Sequence, residues 1–138
     1  MSKTLQKTLQ SNAFYEQVSL RQYGPLDGGC LIIASALKEI FKLEFGGGFP
    51  PNRPLAEHAT VVFRHFFIDG NGLSTQAEIE RYWMHEEKVQ LCFRSCTFED
   101  LKSRCYWNPD DYDRCLTFLA PILTPFRAII YDNRVPSS

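Results

Sequence analysis

The chain has almost no net charge, no long apolar run and no close cysteine pair. Fifteen Lys+Arg stand against sixteen Asp+Glu, for a net charge of -1. That balance argues against a nucleic-acid binder that relies on a bulk positive field. No stretch approaches the roughly 18 consecutive apolar residues of a membrane-crossing helix. The opening Met-Ser-Lys-Thr-Leu-Gln-Lys has no apolar signal core. Cys-X-X-Cys, the usual first half of a zinc site, does not occur. Repeats and low-complexity segments are also missing. The expectation is a cytoplasmic protein with free thiols, no nucleic-acid or membrane partner, no cofactor and no metal.

What is present suits one domain over residues 1–138. Hydrophobic residues make up 44% and aromatics 14%, with eleven Phe, enough for a bulky core without a metal or disulfide staple. The five cysteines, Cys30, Cys92, Cys96, Cys105 and Cys115, are odd in number and cannot all pair within one chain.

Residues 1–13 are polar and lack a clear period, and Tyr23 to Gly29 is a loop by its Gly and Pro content. Cys30, Ile33, Ala34, Leu37 and Phe41 recur at helical spacing and predict a helix from Cys30 to Leu43. Ser35, Lys38, Glu39 and Lys42 form its polar side, and Gly46-Gly47-Gly48 is expected to end it. Val61-Val62-Phe63 and Phe66-Phe67-Ile68 predict a hairpin turned at Arg64-His65, followed by a turn at Asp69-Gly70-Asn71-Gly72. Ser74 or Thr75 caps a helix through Met84. Lys88 to Arg94 is expected as a strand, and Thr97 with Asp100 has capping-box spacing. Pro109-Asp110-Asp111 opens another helix, and Phe126 to Tyr131 is expected as a final strand. The fold class is α+β.

Cys30 stands in the first turn of its helix, directly after two glycines. Unpaired backbone N–H groups and the positive end of the helix dipole lower a thiol pKa at such a position. The bland alternative is a small apolar residue at the start of a buried face. A nucleophilic thiol also needs an imidazole and a group to orient it. Side-chain alternation supplies both. With a two-residue turn at Arg64-His65, Thr60 lies opposite Asp69, so His58, Thr60, Val62, Phe67 and Asp69 share one face. His58 and Asp69 are then diagonal neighbours. Taken alone, His58 could bond a backbone carbonyl and Asp69 could close an Asx turn.

Gly28-Gly29-Cys30 at a helix start, His58 opening a strand and Asp69 on the next strand resemble the papain-like and transglutaminase-like cysteine enzyme superfamily, over about residues 22 to 84. The nearest likeness is to small bacterial and phage members with Cys…His…Asp order. The resemblance implies a thiol-bearing helix packed on a small antiparallel sheet. It makes Cys30 the nucleophile, His58 the general base and then acid, and Asp69 the group orienting the imidazole. It also implies an oxyanion donor upstream of the cysteine, for which Gln22 is the candidate and Tyr23 the second, beside the backbone at Gly29. Two departures stand out. Cys-Gly-Ser-Cys-Trp does not surround Cys30, and Gly29-Cys30-Leu31-Ile32 replaces the Asp-Cys-Ser-Gly of the cell-wall branch.

Other candidates are weaker. Asp69 to Glu80 partly imitates a calcium loop, but Ser74 stands at the position that needs glycine. His65 is expected in water at the hairpin tip and His85 at a helix C-terminus. Trp83 and Trp107 are expected to pack in the core or at its rim. Cys92, Cys96, Cys105 and Cys115 are expected to fill the core or lie free, with a shared zinc site disfavoured by their scattered spacing. Asp110, Asp111 and Asp113 suit a helix N-terminus. The function expected is cysteine-dependent acyl transfer at a carboxamide of a peptide, protein or amide substrate. The alternative is a binding or inhibitory module on the same fold.

Overall fold

A computed structural model describes residues 29–127. Its first helix, α1 (Cys30–Phe41), is apolar nearly all round, and such a helix is stable only when surrounded. Among its residues only Lys38 and Glu39 are exposed. Ser35, expected on a polar side, is buried at 8% exposure with its Oγ unpartnered. The helix stops at Phe41 rather than Leu43. Lys42 takes a left-handed φ of 55°, and the Leu43 N–H closes back on the Lys38 carbonyl.

The three glycines after it do not terminate anything. They lie inside strand β1 (Glu44–Phe49), the neighbour of β2 (His58–Phe63) and β5 (Cys92–Ser95). Facing side chains already fill the space that a Cβ would need. A Cβ on Gly46 would sit 2.7 Å from Thr60 Oγ1 and from Val62 Cγ2, and one on Gly48 would sit 2.6 Å from the Phe93 ring. Lack of volume, rather than chain reversal, explains these glycines.

Strands β3 (Phe66–Asp69) and β4 (Gly72–Thr75) complete an antiparallel sheet of order β4-β3-β2-β1-β5. The Arg64-His65 turn has the expected two residues. Arg64 takes φ 58°, as a primed hairpin turn requires at its first central position. Val61 pairs with Ile68, Val62 with Phe67 and Phe63 with Phe66, so the expected parity holds. The Asp69–Gly72 turn joins β3 to β4, a strand that the sequence reading did not separate from the helix after it.

Thr75 caps α2 (Gln76–Glu86) through a reciprocal box with Glu78. The stretch expected as a strand from Lys88 pairs only from Cys92. Lys88 has φ 59°, and the Val89 N–H still bonds Trp83 O, which ties the segment to the end of α2. Thr97 and Asp100 box α3 (Phe98–Lys102), and Asn108 caps α4 (Pro109–Leu123). The last strand expected from Phe126 does not begin there: Thr124–Phe126 forms a 3-10 turn opened by Pro125, and residues 128–138 lie outside the described region.

Two apolar layers follow from strand alternation. Phe45, Ala59, Val61, Phe63 and Ile68 face α1 and α4 in the main core, while Phe67, Phe93 and Leu91 pack with Ile79 and Trp83 of α2 on the other side. None of the described helices is long and apolar enough to cross a membrane.

Candidate active site

Cys30 is the first residue of α1, and Gly29 before it is the N-cap without a side chain to satisfy the helix N–H groups. The N-terminus of α1 points at the place where β2 runs past the end of β3. The ladder between these strands ends at the Val61–Ile68 pair, and the Ala59 N–H beyond it donates to Cys30 Sγ at 3.4 Å. A second sulfur lies alongside: Cys105 Sγ is 3.9 Å from Cys30 Sγ and hydrogen-bonded to it.

His58 opens β2, next to Ala59. Its Nε2–H donates to Asp69 Oδ2 at 2.8 Å, across the diagonal that the hairpin parity requires. The other Asp69 oxygen, Oδ1, accepts the Asn71 N–H at 2.9 Å. Asp69 therefore does both things its sequence context allowed: it closes an Asx turn and holds the imidazole. His58 Nδ1 is buried without a hydrogen-bond partner, and the Cys30 sulfur is near enough for its charge to act on the ring.

The charges of this group follow from its neighbours. The hydrogen bond from the Cys105 thiol holds Cys30 well below the ordinary thiol range; burial opposes this, and His58 and the Ala59 N–H reinforce it. Burial alone would discharge His58. The Cys30 thiolate and the Asp69 hydrogen bond outweigh it, and the imidazole is pushed up to about 10. The two shifts together favour the thiolate–imidazolium form of the pair over the neutral form. Cys105 is displaced the opposite way, upward, by its hydrogen bond to Cys30 and by burial, and keeps its proton.

The pair is well covered. Cys30 is 3% exposed and His58 not at all. The Trp83 ring lies 4.8 Å from the imidazole and the Phe93 ring 6.2 Å, so the tryptophan expected as core packing is also the roof of the histidine. A dry roof strengthens the charge pair beneath it. Beside Asp69 opens a cavity of about 240 Å³ lined by Asn71, Ser74, Ile79 and Tyr82.

Set against family models, curated proteins and solved structures, the chain matches none.

The site thus brings together Cys30, His58 and Asp69, with Gly29 at the helix cap. Gln22 and Tyr23 lie outside the described residues. The partial calcium loop is spent elsewhere: Glu80 Oε2 accepts from the Phe93 N–H and the Gln76 amide, and Asp69 is engaged as above. Among the described residues no cluster of His, Cys, Asp and Glu could hold a metal ion. Cys92 is exposed, Cys96 half-buried and Cys115 buried. Asp111 is tied to Tyr106 and Arg114 rather than displayed to a ligand. His65 sits in the hairpin turn with its ring against Phe66, and His85 lies in the last turn of α2. Trp107 packs between Phe98 and Tyr112. Cys105 is the participant that sequence reasoning missed. Seventy-five positions separate it from Cys30, and no spacing rule links residues so far apart.

Proposed function

We propose that the protein performs acyl transfer at a carboxamide through a Cys30–His58–Asp69 triad, in the manner of papain-like and transglutaminase-like enzymes. The observation that carries this reading is a buried histidine held by a carboxylate at Nε2, beside a cysteine that begins a helix. A thiolate–imidazolium pair is the resting state of an activated cysteine nucleophile.

In the first step the Cys30 thiolate attacks the carboxamide carbon, and the developing oxyanion lies within reach of backbone N–H groups at the start of α1. The His58 imidazolium gives its proton to the departing nitrogen, leaving a thioester on Cys30 and a neutral ring. His58 then takes a proton from water or an amine as that nucleophile attacks the thioester, and the released thiolate restores the charge pair. Asp69 fixes the ring throughout by accepting from Nε2–H. The buried sulfur requires the cover over it to open before a substrate can enter.

That burial also favours a second reading, a binding or inhibitory module that keeps the triad without turnover. The two separate in one experiment. The protein and its Cys30→Ala variant are treated with a cysteine-directed activity probe and then offered a panel of peptides and primary amides. Probe attachment at Cys30 and amine or ammonia release that Cys30→Ala abolishes support the enzyme. A folded protein that neither takes the probe at Cys30 nor releases amine supports the binding module.

A further inference from the structure

Cys105 has no place in the acyl-transfer steps, yet it is the residue nearest in chemistry to the nucleophile. The two sulfurs are 3.9 Å apart, and a disulfide needs about 2 Å. Side-chain rotation and slight backbone relaxation must supply the difference. Cys105 follows the short helix α3, and its N–H bonds Leu101 O. Of the other described cysteines, Cys115 is enclosed by the core, Cys92 is on the surface, and Cys96 is half-buried and near enough to Cys105 for its charge to be felt there.

From this juxtaposition we infer that Cys105 is a resolving cysteine, which captures an oxidised Cys30 as an intramolecular disulfide. The oxidant is a hydroperoxide, of which hydrogen peroxide is the smallest and the best suited to a sulfur that is 3% exposed. The Cys30 thiolate attacks one peroxide oxygen, forming an S–O bond as the O–O bond breaks. Cys30 becomes a sulfenic acid, oxidised by two electrons, and hydroxide leaves and is protonated by solvent. The Cys105 sulfur then attacks Cys30 Sγ. The S–S bond forms, the S–O bond breaks, and the sulfenic hydroxyl departs with the Cys105 thiol proton as water.

The division of labour suits the two environments. The Cys30 thiolate attacks peroxide and also holds the proton on Cys105; once Cys30 is a sulfenic acid that hold is gone, and Cys105 ionises as it attacks, its proton passing to the leaving hydroxyl. Capture protects the nucleophile, because a sulfenic acid left alone proceeds to the sulfinic acid, which thiols do not reduce. A dithiol releases the disulfide and restores Cys30. The inference draws on the same Cys30 thiolate as the acyl-transfer reading but needs no acyl substrate.

The test is peptide mapping of the full-length wild-type protein after treatment with excess hydrogen peroxide, since the sulfenic acid consumes one equivalent and the sulfinic acid a second, without and with dithiothreitol. The expected product is a Cys30–Cys105 linked peptide pair that dithiothreitol converts back to free thiols. In Cys105→Ser the same dose should give Cys30 sulfinic acid that dithiothreitol does not reverse. Cys30 sulfinic acid with Cys105 still reduced in the wild type overturns the inference, as does a Cys96–Cys105 link in place of the expected one. Amide turnover measured on the reduced sample separates the two readings. Linkage without turnover supports the resolving role while removing acyl transfer, and turnover with sulfinic acid and no linkage does the reverse.

Discussion

Cys30 and Cys115 are buried in the same core, at 3% and 0% exposure, on helices that pack against each other. Their chemistry is opposite. Burial pushes the Cys115 thiol up to about 12, with nothing nearby to counter it, whereas Cys30 lies well below the ordinary thiol value. Cys115 sits within α4, where the backbone N–H groups are engaged by the preceding turn. Cys30 begins its helix and meets the Ala59 N–H, the Cys105 thiol and the His58 ring. Depth in the core therefore does not by itself set the acidity of a thiol. Its position relative to unpaired donors and a cation does.

The largest effect should come from removing each of the two sulfurs in turn by substitution with alanine. Cys30→Ala is expected to abolish both probe labelling and turnover, while Cys115→Ala leaves both in place and lowers stability by about 1 kcal/mol for the small void. Urea melts and labelling assays on the two variants check this, and a Cys115→Ala protein that loses labelling would break the comparison. Next in size is His58→Gln, which keeps a donor for Asp69 but removes the cation. Turnover should fall on the order of 10³-fold. The Cys30 thiol should move toward the behaviour of Cys115, seen as a higher apparent pKa in rate–pH profiles. Smaller still is Gly46→Ala, whose Cβ would crowd Thr60, Val62 and Phe67. It is expected to destabilise the fold by roughly 1–3 kcal/mol while the remaining folded fraction labels at Cys30 as before.

The smallest effect is on stability against pH. His58, raised from 6.5 to about 10, contributes stability that is full below 6.5 and lost as pH rises toward about 10. Cys30, lowered from 9.0, contributes stability that is full above 9.0 and lost as pH falls toward its folded value. From 9.0 down to 6.5, or to the folded Cys30 value where that is higher, the folded pair and the unfolded pair bind the same number of protons, so these slopes cancel. The pair's contribution should be level across that window and decline outside it, by about 1 kcal/mol between 9.0 and about 10. Subtracting the melting curves of a Cys30→Ala, His58→Gln double variant from those of the wild type isolates it. A slope through the middle of the window would show that only one partner is charged.

Much of this arrangement was legible in the sequence because it rests on short-range rules. Two glycines before an apolar helix place Cys30 at its start. A two-residue turn fixes strand parity, and parity alone puts His58 and Asp69 on one face. Thr75, Thr97 and Pro109 mark helix starts by side-chain capping and proline chemistry. What was missed depends on partners distant in the chain. Gly46 to Gly48 reads as a helix breaker until Thr60, Phe93 and Leu101 occupy the volume beside it. Trp83 reads as ordinary core until the fold lays it on His58, and Cys105 resembles any buried thiol until it meets Cys30. The strand expected from Phe126 does not begin there because proline at position 125 opens a tight turn, and its remainder lies outside the described residues.

The central claim is that Cys30 is ionised at neutral pH inside a closed core, and ultraviolet thiolate absorbance tests it without requiring access to the sulfur. The quantity to measure is the pH-dependent difference between the folded wild-type protein and Cys30→Ala. The account predicts a thiolate signal of one sulfur that is already complete at neutral pH and does not rise through 9.0, the ordinary thiol value. A difference signal that appears only at or above 9.0 would contradict it and make Cys30 a buried thiol like Cys115.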